Sequence, residues 1–212
     1  MLKIDKNTYT ISEKNYNKQL TVKRQIIIGS SLRKDNNYII HLQNKELGET
    51  KSWNTFTIDR KGKIFQHYDP KYWSNFIGVK KIDKQAISII LENMGGLIYI
   101  PDYGYINLLN EKCENEKNIQ KKKWSGFEYW EKFQNKQINS LVNLLSFLVS
   151  KFKINPQLIE FPFFHQETIF YGGIVFKSNY INNSVDLNPF FDIEKIQDKL
   201  ENKLVKLERQ PN

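Results

Sequence analysis

The chain of 212 residues predicts a single α/β domain, a mixed central β-sheet flanked by helices. Three observations carry that prediction. A β-branched run, Gln25-Ile26-Ile27-Ile28, stops abruptly at Gly29-Ser30-Ser31. Two strand-like segments, Trp53 to Asp59 and Lys63 to Tyr68, flank Arg60-Lys61-Gly62. Two long stretches, Asn135 to Phe152 and Ile193 to Leu207, repeat apolar residues at three and four. Strands with buried faces and helices with one apolar stripe stabilise each other by layering around a common core.

Taken in order, residues 1–23 are polar and weakly patterned, and read as an N-terminal arm or peripheral strand. The domain proper then spans 24–212, and opens with the buried strand at Gln25. Residues 35 to 45 carry Ile39, Ile40 and Leu42 on a short predicted helix. The glycine of Arg60-Lys61-Gly62 supplies a positive φ for a hairpin between the next two strands. Ala86 to Leu91 reads as a central strand, and Gly95-Gly96 turns the chain into Leu97 to Ile100. An insertion around 101–130 follows, in which the charged stretch 110–126 reads as a long connection. Ile138, Leu141, Val142, Leu145, Leu148, Val149 and Phe152 then mark one stripe of a helix about 27 Å long. Leu158 to Phe164 and Gly173 to Phe176 are further predicted strands, and Ile193, Ile196, Leu200, Leu204 and Leu207 define the last helix.

The composition bounds the function. A formal charge of +9 favours anionic partners, and a basic functional face or the codons of an AT-rich genome account for it equally well. Cys113, the single cysteine, sits among Glu111, Lys112, Glu114 and Glu116 and reads as a surface thiol that cannot form an internal disulfide. The amino terminus has no apolar signal core, and no segment offers the roughly 20 apolar residues of a membrane span. The expectation is a soluble protein of the host cytoplasm, without a membrane partner. The aromatics are not interleaved with Lys and Arg as a stacking platform, which argues against a nucleic-acid partner.

Four pieces together resemble the type 2 N-acetylmuramoyl-L-alanine amidases and the related peptidoglycan recognition proteins. The strand Ile26-Ile27-Ile28 runs into Gly-Ser-Ser where that family has His-His-Thr or His-Cys-Ser. Trp53 to Asp69 is similar to the family hairpin of the form H-F-x-I-x-R-D-G-x-I-Y-Q. Ala86 to Glu92 is similar to its S-I-G-I-E-L strand, followed by a helix that starts near Gln134 or Gln137. Val185-Asp186-Leu187-Asn188-Pro189-Phe190-Phe191-Asp192 resembles its closing T-D-L-N-P-x-F-D motif. The resemblance runs from 24 to 197, and the long insertion with Trp124, Tyr129 and Trp130 looks like that of phage members.

The resemblance implies a zinc-dependent hydrolase that cuts the amide between the lactyl group of muramic acid and L-alanine. Zinc with an open coordination position would supply the activated water and hold the oxyanion. Carried onto this chain, the first ligand position falls on Gly29 and the third on Asp186. The second falls on Lys177, or in another alignment on His165. The helper positions fall on Ser184, where members carry a lysine, and on Asn54 or Thr55, where they carry tyrosine or glutamate. Glycine coordinates nothing, and an ammonium has donors but no lone pair. The expectation is therefore a catalytically degenerate, phage-encoded amidase-like protein that binds no metal, with Lys177 and Asp186 pairing where zinc would sit. Its partners are then peptidoglycan or muropeptide, or other virion proteins if it is a structural or accessory part of the particle. The alternative is an active but atypical zinc amidase of the endolysin kind, or a site rebuilt from His41, His67, His165 and Asp186. Asn54, Tyr72, Trp73, Lys177, Asn179 and Ser184 are the candidate groove residues. The aromatic group Tyr68, Tyr72, Trp73 and Phe76 lines either a groove or the core.

Overall fold

The computed structural model describes residues 2–34, 41, 52–182 and 187–208. The predicted helix at 35 to 45 lies outside these apart from His41, as do Ser184 and Asp186. The central sheet is built from β1 (Ile4–Asp5), β2 (Gln25–Ser30), β3 (Phe56–Ile58), β4 (Ile64–Gln66), β5 (Ala86–Leu91) and β10 (Gly173–Phe176). Their spatial order is β1-β4-β3-β5-β2-β10. Only β3 and β4, the predicted hairpin, pair antiparallel within it, so the sheet is mixed.

The register sorts the side chains. Ile28 stands beside Ile89 and Phe176, and Ile26 beside Ile87 and Ile174, all fully buried. This apolar parity packs with α2 (Asn135–Phe152), through Leu141, Leu144, Leu145 and Leu148, and with α3 (Ile193–Glu208), through Ile196 and Leu200. Phe191, just before α3, meets Phe176 and Phe133 edge-on at 5.7 and 5.4 Å. The opposite parity is mixed: Gln25, Gly29, Thr57 and Ser88 share it with the buried Ile27, Ile90 and Val175, and the stem of Lys177 follows beside Gly29. Both faces of these strands are buried, and alternation gives the sheet one wholly apolar face and one that mixes apolar with polar residues. The helix α2 ends on Lys153 in the left-handed region (φ 56°), and Pro156 follows where a helix cannot continue. No helix of the described residues is long and apolar enough to cross a membrane.

Three sequence expectations are corrected. The stretch 110–126 is not a plain connection, because β6 (Gly96–Ile100), β7 (Gly104–Asn107), β8 (Ile119–Trp124) and β9 (Phe127–Glu131) form a second, antiparallel sheet in the order β7-β6-β9-β8. β8 lies at its edge and carries Lys121, Lys122 and Lys123 into solvent, so it lacks the alternation that marks a half-buried strand. Leu158 to Phe164 contributes a single bridge, Leu158 to Ile174, before Pro162 diverts it. Cys113 is buried against Met94 and Leu97, since its N–H donates to the Tyr105 carbonyl and draws it inward. Burial pushes its thiol pKa up.

The arm is laced onto the domain. β1 lies parallel to β4, the Ile11 N–H donates to the His67 carbonyl, and Asn17 pairs with Trp73. Between the two sheets, Arg60 from the hairpin grips Glu131 through Nε and Nη2 at 2.7 and 2.8 Å. Glu131 also accepts the Met94 N–H, and its carbonyl takes the side-chain amides of Asn93 and Asn188.

Candidate functional site

The site residues come together where β2 and β10 end on the mixed face. Gly29 needs no positive φ; what it provides is space. A Cβ built on it would lie 3.3 Å from both Cβ and Cδ of Lys177 and 3.2 Å from Cδ1 of Ile90. The stem of Lys177 therefore lies over Gly29, and its ammonium reaches the Phe76 ring, 5.8 Å from the centroid. Phe76 is held by Asp83, a buried carboxylate in α1 (Lys80–Gln85) that accepts the N–H groups of Phe76, Ile77 and Gly78 at 3.2, 2.8 and 3.0 Å. Burial raises its pKa against the effect of those donors. Lys23, also buried, donates to the carbonyls of Tyr72 and Lys84, and burial brings its ammonium pKa down to about 8.

Beside this centre a hydrogen-bonded chain runs through β3 and the residues that flank the β3–β4 hairpin. Asn54 Nδ2 donates to Thr57 Oγ1 at 2.9 Å, and Thr57 Oγ1 lies 2.7 Å from His67 Nε2. His67 Nδ1 lies 2.7 Å from the Tyr9 carbonyl, which can only accept, so the proton belongs on Nδ1 and Thr57 donates to Nε2. Burial brings the His67 pKa down to about 4. Thr55 donates to the Tyr68 hydroxyl at 3.0 Å, and its N–H donates to Ser88 Oγ at 2.9 Å. Burial pushes the Tyr68 pKa up to about 12.

Several of the predicted groove residues are enclosed. Asn54 is 1 % exposed, and its amide is engaged inside the hairpin. Trp73 is buried, and its backbone pairs with Asn17 of the arm. Asn179 is fully buried: its Nδ2 donates to the carbonyls of Phe161 and Phe163 at 2.8 and 2.7 Å, and its Oδ1 accepts the Phe176 N–H. It positions the loop beside the site. Tyr72 is half-buried, stacked 5.8 Å from Tyr16, which in turn stacks 5.1 Å from Tyr68. His165 is exposed at the start of a 3-10 turn, its ring edge-on to Phe161, while Lys177 is the residue that lies against Gly29. His41 has Arg33 as a neighbour and His67 is enclosed, and among the described residues no group of three His, Cys, Asp or Glu is placed to share a metal ion. Sequence reasoning named Phe76 as a groove or core aromatic and missed Ile90. Ile90 is hidden in a continuous apolar run, and only the register against Gly29 reveals it.

A mixed sheet with helices on its apolar face, and a centre at the carboxyl ends of its parallel strands on the other, is the architecture of a peptidoglycan amidase domain. The chain belongs to the N-acetylmuramoyl-L-alanine amidase family (Amidase_2), whose model matches residues 13–172. The match stops short of Lys177 and of the closing motif. No protein of curated function matches the chain in sequence. Solved structures share the fold at low identity. The amidase LysC from Clostridium intestinale URNW is 15% identical with a TM-score of 0.53, covering 95% of this chain and 99% of its own. The amidase AmiD from E. coli, solved in complex with anhydro-N-acetylmuramic acid-L-Ala-D-gamma-Glu-L-Lys, is 14% identical with a TM-score of 0.55, covering 86% and 59%. The Staphylococcus aureus hydrolase AmiA is 9% identical with a TM-score of 0.54, covering 98% and 86%.

Proposed function

We propose that this protein is a catalytically degenerate amidase-family member that holds peptidoglycan, at the level of a muropeptide, without cutting it. The observation that carries the reading is the stem of Lys177 lying over Gly29 beside Ile90. The family's chemistry calls for lone-pair donors around zinc. Here the first position has no side chain, the second is an ammonium with three donors, and the neighbouring group is hydrocarbon. These residues do not fit zinc, and no hydrolytic step is derived through it. What the centre offers a ligand is a cation beside an aromatic ring, suited to the carboxylates and carbonyls of a muropeptide.

The active-amidase reading draws on a different observation, the survival of the family pattern over residues 13–172. Muropeptide cleavage assays on the full chain, with chelator and with added zinc, separate the two. Binding by calorimetry without cleavage under either condition is expected. Robust, chelator-sensitive cleavage would overturn the proposal. A phage origin, with a place in the host cytoplasm or on the particle, goes with this reading, and detection of the protein in purified virions distinguishes an accessory part of the particle from a free wall-binding protein.

A further inference from the structure

The inserted sheet carries an aromatic group that the amidase centre does not use. Tyr99 of β6 stands opposite Tyr105 of β7, and Tyr129 of β9 stands opposite Leu97 on one side and Lys121 on the other, which places all of them on one face. The rings of Tyr99 and Tyr105, and of Tyr105 and Tyr129, are 5.0 Å apart. Tyr105 and Tyr129 rest on Met94, Leu97 and Cys113, which fixes them, while Tyr99 remains 50% exposed. Lys121 is exposed, its ammonium 5.5 Å from the centroid of Tyr129.

We infer that this face, formed by Tyr99, Tyr105, Tyr129 and Lys121, binds the glycan strand of peptidoglycan at sugars that bear a free lactyl carboxylate. A pyranose ring shows an apolar C–H face and a rim of hydroxyls, and tyrosine answers both with its ring and its phenol. Phenylalanine would answer only the first. Removal of a stem peptide from muramic acid by amide hydrolysis leaves a lactyl carboxylate, and Lys121 supplies the complementary charge on a chain of +9. Interplanar angles of 52° and 69° deny successive nucleic-acid bases the parallel faces they stack on, whereas each sugar needs only one ring. The inference rests on the proposal above only in taking peptidoglycan as the polymer, and it concerns a different surface.

The test is calorimetric titration of the full chain with glycan strands stripped of stem peptides, alongside a neutral chitin oligosaccharide, a single-stranded oligonucleotide and an intact muropeptide. The stripped strand is expected to bind most tightly. Tyr99→Ala should weaken it roughly tenfold, equivalent to about 1.4 kcal/mol, with Tyr99→Phe in between. Lys121→Gln should weaken the stripped strand but not the neutral oligosaccharide. No binding of the stripped strand, tighter binding of the oligonucleotide, or unchanged affinity in a Tyr99→Ala variant with a native circular dichroism spectrum would overturn it. Muropeptide binding should respond to Lys177→Ala and not to Tyr99→Ala. Glycan binding without muropeptide binding would sink the proposed function and leave this inference standing, and the converse result would do the reverse.

Discussion

Gly29 and Lys177 were named from the family resemblance, and the structure sets them in contact with each other. What the sequence did not disclose is that they are complementary in volume: a side chain at 29 would have to share the space that the lysine stem fills. Asp186 lies outside the described residues, so its pairing with Lys177 stays a proposal for mutagenesis. Replacing both, Gly29→His with Lys177→His, removes the Cδ contact but keeps the 3.3 Å approach to the Cβ of residue 177, so the strands must give by a few tenths of an ångström. The folded double variant is expected to bind zinc measurably by calorimetry with Asp186 as third ligand, yet to turn over muropeptide poorly, since Ile90 and Asn54 supply none of the surrounding polar support. A folded double variant that does not bind zinc would show that the three positions do not converge. His67 gives a second expectation at this scale. Its pKa is about 4 in the folded chain against an ordinary value near 6.5, so between those limits the unfolded chain takes up a proton that the folded one does not. Stability should therefore fall as pH drops from about 6.5 to about 4, by about 3 kcal/mol in all, and His67→Gln should flatten that part of a urea-midpoint profile measured against pH.

Strong periodicity made some elements legible and weak periodicity hid others. The bounds of α2 and of β5 and β10 follow directly from the sequence, because burial on one stripe or on both faces writes itself into residue type at every position. β8 could not be read, because an edge strand in solvent needs no apolar pattern and its lysines suit a connection equally well. Nor could the burial of Asn54, Trp73 and Asn179, whose types suit a polar groove; each bonds to a partner distant in sequence or to backbone groups that only the folded loop presents. For α2 the packing predicts its own test. Leu145 is fully buried beneath the sheet, and Leu145→Ala should cost about 2–5 kcal/mol in denaturant unfolding, the spread depending on how far the cavity collapses. Lys153 at the left-handed carboxyl end of the helix should instead tolerate glycine, with Lys153→Gly gaining up to about 1 kcal/mol.

Among the described residues the molecule holds two sheets, and the Glu131 carboxylate is one of the links between them. The central sheet carries the family centre, and the inserted sheet presents the tyrosine face. Glu131 closes β9 while gripping Arg60 of the central hairpin and capping Met94 at the start of the insertion. It is 5% exposed, so its charge is tolerable because Arg60 and the Met94 N–H satisfy it, and removing it takes two charge-assisted hydrogen bonds from a buried guanidinium that keeps the Arg33 carbonyl at 2.9 Å and Glu92 at 3.9 Å. Glu131→Ala should accordingly cost about 3–5 kcal/mol, more than the loss of any exposed ion pair of the described surface such as Lys63 with Asp5. The loss should also be uneven. Amide hydrogen exchange is expected to accelerate most in β6, β7, β8 and β9, whose own core is the small group of Met94, Leu97 and Cys113, while β2 and β5 keep the protection given by the main core. If exchange instead rises equally in both sheets, the insertion is not a separate cooperative unit and glycan binding by its tyrosines cannot be tuned apart from the centre at Gly29 and Lys177. If it rises in the insertion alone, a Glu131→Ala variant should lose glycan affinity while muropeptide affinity persists, which ties the two surfaces to two separable parts of one fold.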